Sequence, residues 1–89
     1  MLSKEDCIAM SGLDADEICA IAEHEHIPEI AAAALGSYLL HQESGSEQIR
    51  DIIVDDIRTA LRRNDEHHAA ELFMALRHFL ADHPEADLH

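Results

Sequence analysis

Residues 13–22 read Leu13-Asp14-Ala15-Asp16-Glu17-Ile18-Cys19-Ala20-Ile21-Ala22. Asp14 is a strong helix N-cap type, and Glu17 stands three residues on, where a carboxylate can return to the cap's own backbone N–H. Leu13 and Ile18 have the spacing of a hydrophobic staple across that cap. Ile18, Ile21 and Ala22 then recur at helical spacing. The stretch therefore opens an amphipathic helix, predicted to run to about Glu25.

The same signals repeat in both directions. Upstream, Ser3 caps a short helix through Met10, with Glu5 and Asp6 in its first turn and Gly12 ending it. Downstream, Pro28 suits the first turn of a third helix that runs to about Gln42. Glu43-Ser44-Gly45-Ser46 reads as a turn, with Ser44 or Ser46 capping a fourth helix that ends near Arg63. Asn64 and Asp65 break and restart the chain, and a last helix reaches about Asp82, with Pro84 beyond it. No run alternates in the manner of a strand.

The reading is all-α: a compact bundle of four main helices plus a short N-terminal helix, with residues 1–83 as one helical domain and 84–89 as a frayed C-terminal tail. Helical wheels place Ile49, Ile53, Ile57 and Ala60 on the buried face of the fourth helix. Ala69, Leu72, Phe73, Leu76, Phe79 and Leu80 take that face in the last. The third helix is apolar almost all round, from Ile30 to Leu40. Such a helix is either central or lies at an oligomer interface. Ala31, Leu35, Tyr38 and Leu39 are its candidate interface residues.

The chain's 89 residues carry nineteen acids against six bases, a formal charge of −13. Before Ile49, Lys4 is the sole base against ten acids. This field repels phosphate backbones and anionic lipid surfaces, so neither nucleic acid nor a membrane is an expected partner. The second and third helices have helix-turn-helix spacing, but residues 28–42 contain no Lys or Arg, which a recognition helix requires. No apolar run approaches the roughly 20 residues of a membrane span. With no signal-peptide pattern, and with Cys7 and Cys19 outside any metal or redox motif, a reduced cytoplasmic location is expected.

Eight histidines are the other compositional feature, and protonating all of them moves the formal charge from −13 to −5. An up-down bundle gathers Glu23, His24, Glu25, His26, Glu29, His67, His68 and Glu71 at one end. His24, Glu25, His26 and His68 are the candidate ligands there for a divalent transition metal such as zinc. Two acids fall on apolar faces: Glu25 between Ile18 and Ile21, and Asp56 between Ile49 and Ile52. Each is expected at a wet helix end or in an edge ion pair, Arg63 being a partner for Asp56, with a buried ligand or an acid of raised pKa as the alternative. No Gly-rich phosphate loop, nucleophile elbow or HExxH is present. The expectation is a non-enzymatic protein–protein interaction module acting as a homodimer or with another protein. A histidine/carboxylate metal-binding module is the alternative.

Overall fold

The computed structural model describes residues 3–87. Within them lie five α-helices: α1 (Lys4–Ser11), α2 (Ala15–Glu25), α3 (Glu29–Leu40), α4 (Gly45–Arg62) and α5 (Glu66–Asp82). A 3-10 turn, Pro84–Asp87, follows, and no strand occurs among the described residues. The Cα radius of gyration is 12.4 Å, against about 12 Å for a globular domain of this length. α4 and α5 form the most extensive pair; α2 packs on α3, α4 and α5, and α1 rests on α3. No helix of the described residues is long and apolar enough to cross a membrane.

Both capping boxes form. Ser3 Oγ accepts the Asp6 N–H at 3.1 Å and Asp6 accepts the Ser3 N–H at 3.3 Å. At α2, Glu17 Oε1 accepts the Asp14 N–H at 3.0 Å. Gly12 ends α1 at φ 84°, a left-handed conformation open to glycine at no steric cost. α2 and α4 end without glycine. His26 (φ 57°) and Asn64 (φ 59°) take the left-handed position, and the next N–H closes back on the helix. Those bonds run from Ile27 to the Ala22 carbonyl at 3.1 Å and from Asp65 to the Ala60 carbonyl at 2.9 Å.

Phe79, Ile18, Ile21, Ile49 and Ile53 are fully buried and form the centre of the core. Each such side chain contributes about 1.5–3 kcal/mol on leaving water. Leu13 is buried with Ile18, as the staple requires, and it packs where a Cβ on Gly36 would stand. α3 thereby approaches the start of α2 closely, and a larger residue at Gly36 would have to displace the Leu13 and Ile21 side-chain tips.

Three expectations need correction. Ser44 precedes α4 in a left-handed conformation (φ 62°) and makes no side-chain cap, while Ser46 Oγ donates to Glu85 Oε2 at 2.6 Å instead. Residues 84–87 do not fray: Ala86 is fully buried and its carbonyl accepts from Arg50 Nη1. Met1, Leu2, Leu88 and His89 lie outside the described residues. Phe73 is exposed, because it stands about 120° around the helix from Phe79, beyond the reach of the covering helices. Of the two cysteines, Cys7 is half-buried and Cys19 exposed, and neither forms a disulfide.

Candidate functional site

The end of α2 meets α4 and the start of α5, and there the histidines take carboxylate partners. His24 bridges two acids, with Nδ1 at 2.7 Å from Glu25 and Nε2 at 3.0 Å from Asp55. His68 does the same, with Nε2 at 2.6 Å from Glu23 and Nδ1 at 3.3 Å from Glu71. A ring held by carboxylates at both nitrogens is suited to the imidazolium form, which donates twice. Partial burial of His24 opposes its charge, but the hydrogen bonds to Glu25 and Asp55 overcome this and raise its pKa above the ordinary value. Hydrogen bonds from Glu23 and Glu71 raise that of His68.

Asp56 lies among these groups. It is buried, and its Oδ2 has no hydrogen-bond partner. Arg63 lines the same cleft, together with Glu23, His24, His26 and Asp55, but the expected Asp56–Arg63 pair does not satisfy that oxygen. Burial pushes the Asp56 carboxyl up to about 7, and the charges of Glu23 and Asp55 add to the effect. Glu25 behaves as a helix-end residue: it is exposed and held by His24.

Of the four residues expected to hold a transition metal, His24 and Glu25 touch each other. His68 turns instead to Glu23 and Glu71, and His26 is exposed at its left-handed cap. The group whose ligand atoms do converge, among the described residues, is a different one: Asp14, Glu17 and Asp82. Glu17 is one of the most buried side chains in the protein, and its Oε2 has no partner. The sequence carried a sign of this. Glu17 stands about 40° from Ile21 on the wheel, at the edge of the apolar stripe, but its cap role accounts for only one of its two oxygens.

Two further surfaces complete the picture. A cleft between α2 and α5 is lined by Cys19, Ala20, Glu23, His68, Leu72 and Met74, among others. Partial desolvation and the nearby acids Glu29 and Asp16 hold the Cys19 thiol above its ordinary range, the opposite of a reactive cysteine. Between α1 and α3 runs an apolar groove bordered by Cys7, Met10, Ile30, Ala33, Ala34 and Ser37. Its volume of about 240 Å³ is below the roughly 300–1,000 Å³ of small-molecule pockets and suits a side chain or two.

The four candidate interface residues divide between the two faces of α3. Ala31 and Tyr38 are exposed, Leu35 is half-buried and Leu39 belongs to the core. No family model matches this chain, and neither a curated protein nor a solved structure does.

Proposed function

We propose that this chain is a non-enzymatic interaction module that pairs with a second copy of itself through the outer face of α3 and the adjoining end of α1. The observation that carries the reading is an uncovered apolar face free of charge. Ile30 is 49% exposed, Tyr38 61% and Met10 on α1 69%, with Ala31 and Ala34 exposed between them. From Ile30 to Leu40 there is no charged residue. Glu29, the single acid of α3, is paired with Lys4 at 3.7 Å.

Charge selects the occupant. Two chains at −13 repel each other over most of their surfaces. A contact between copies is favoured where apolar area is buried and no like charges meet. The other exposed large apolar residues, Leu61, Phe73 and Met74, stand in helices studded with Arg, His and Glu. The small side chains of Ala31 and Ala34 let two α3 helices approach closely, as a self-complementary two-fold contact needs.

Sedimentation equilibrium on the untagged chain tests this. The expected result is a dimer that tightens with added salt, since salt screens the repulsion but not the apolar contact. Ile30→Glu and Ala34→Glu are expected to give monomers with unchanged helical circular dichroism. A wild-type chain that stays monomeric throughout the micromolar range, at low and high salt, overturns the reading.

A further inference from the structure

We propose that Asp14, Glu17 and Asp82 form a binding site for a hard divalent cation, with Ca²⁺ as the best fit. One carboxylate oxygen from each residue lies within 4.8 Å of the others. An ion at about 2.4 Å from its ligands can reach oxygens so spaced. The cluster joins distant parts of the chain: Asp14 is the N-cap of α2, Glu17 lies in its first turn, and Asp82 is the last residue of α5.

A group of acids alone is no site, since exposed carboxylates gather on many acidic surfaces. The second observation is Glu17 itself. Its side chain is 1% exposed. Oε1 is held by the Asp14 N–H at 3.0 Å, while Oε2 is buried with no donor at all. A buried carboxylate oxygen without a partner is costly, and the acids around it make ionisation harder. Burial first, then Asp14, Asp82 and Asp16, push the Glu17 carboxyl up to about 7 although the Asp14 N–H works against the shift. A cation between the three residues reverses this electrostatic problem. It supplies the missing partner for Glu17 and cancels the repulsion among the three.

The donor set selects the ion class. Three carboxylates with neither nitrogen nor sulfur favour Ca²⁺, Mg²⁺ or Mn²⁺ over zinc or copper. Asp14 and Asp82 are exposed, so water completes the coordination shell. Ligands drawn from two helix ends give irregular geometry, which Ca²⁺ accepts more readily than Mg²⁺. The negative pole of α5 and the positive pole of α2 meet here and oppose each other, so the attraction rests on the three carboxylates. The site is distinct from the histidine–carboxylate end of the bundle and independent of dimer formation.

The test is isothermal titration of the full, chelator-treated chain with CaCl₂ and, separately, MgCl₂, at about pH 8, where Glu17 is more than half ionised. Thermal unfolding is followed in parallel at fixed ionic strength. One Ca²⁺ per chain and a raised Tm are expected, with Mg²⁺ weaker. Asp82→Asn lies on the surface and leaves the Asp14–Glu17 cap intact; it and Glu17→Gln are expected to weaken Ca²⁺ at least tenfold. Glu66→Gln, at the far end of α5 about 24 Å away, is expected to leave binding unchanged. Absence of saturable binding overturns the proposal, leaving Glu17 as a protonated structural acid. Equal losses in Asp82→Asn and Glu66→Gln overturn it too, because they mark diffuse attraction to an acidic surface.

Discussion

His68 Nε2 lies 2.6 Å from Glu23 Oε1, joining α5 to α2 across forty-five positions of sequence. The pair is strongest when the imidazole is charged, and Glu23 with Glu71 raises the folded-state pKa of His68. A histidine with a raised folded pKa contributes stability that is fully present below its unfolded value, about 6.5. The contribution is lost as pH rises through the folded value. His68→Ala is therefore expected to destabilise the protein at pH 5.5–6 and to have little effect at pH 8.5. Both partners are about a third exposed or more, so solvent screening limits the loss to about 0.5–1 kcal/mol. Urea unfolding of the two proteins at both pH values checks the sign.

The buried acids act in the same direction, which makes the pH profile of the whole protein informative. Glu17 and Asp56 are both pushed up to about 7 by burial. For an acid raised on folding, the native state holds its proton where the unfolded chain has lost it. Stability is then greatest below the unfolded value near 4 and falls as pH rises toward 7. Added to the two histidines, this predicts a higher Tm at pH 5 than at pH 8 in chelator. Glu17→Gln and Asp56→Asn carry a neutral amide at the same place. Each is expected to flatten the slope and to stabilise at pH 8, because the amide cannot take on the buried negative charge that the acid carries there. A Tm that rises from pH 5 to pH 8 contradicts this assignment.

Local chemistry explains what was legible. Ser3 with Asp6 and Asp14 with Glu17 interact within three residues, so their pattern is complete in the sequence. Ile18, Ile21, Ile49 and Ile53 announce their faces by periodicity alone, and all four are buried. What depended on distant neighbours was not visible. The site at Glu17 needs Asp82, sixty-five residues later. The exposure of Phe73 depends on which side of α5 the other helices cover. The order at Ala86 depends on Arg50, thirty-six residues earlier. The grouping of histidines at one bundle end follows from topology and was anticipated. Glu23 and Glu71 were anticipated at that end as well, but the individual pairings, and Asp55 as a partner of His24, follow from side-chain geometry and were not.

His26 illustrates a position where composition misleads. As an exposed histidine beside His24 it reads as a metal ligand, yet its backbone at φ 57° is what ends α2. A side chain with a Cβ pays roughly 1–2 kcal/mol in that conformation, and glycine does not. His26→Gly is expected to stabilise the protein by about 1 kcal/mol in urea, the gain being reduced by glycine's greater freedom when unfolded. Asn64→Gly, at φ 59°, is expected to gain less, because asparagine visits this region more readily. A destabilised His26→Gly shows that the imidazole holds a contact worth more than the strain.

Gly45 stands where α4 begins against the last turn of α3, and it is buried. A Cβ built there falls on the backbone carbonyl of Leu39, inside van der Waals contact. Gly36 differs: its added Cβ meets the Leu13 and Ile21 side-chain tips, which can rotate at some cost. Backbone cannot move without displacing the α3–α4 connection, and Leu39 is itself in the core. Gly45→Ala is therefore expected to cost about 3 kcal/mol, the upper end for overpacking, and Gly36→Ala less. The order decides the cause. Helix propensity alone favours alanine over glycine by about 1 kcal/mol at an unstrained interior site, so a neutral or stabilised Gly45→Ala shows that the α3–α4 turn opens enough to admit a methyl group. Urea unfolding of the two variants beside the parent gives the comparison.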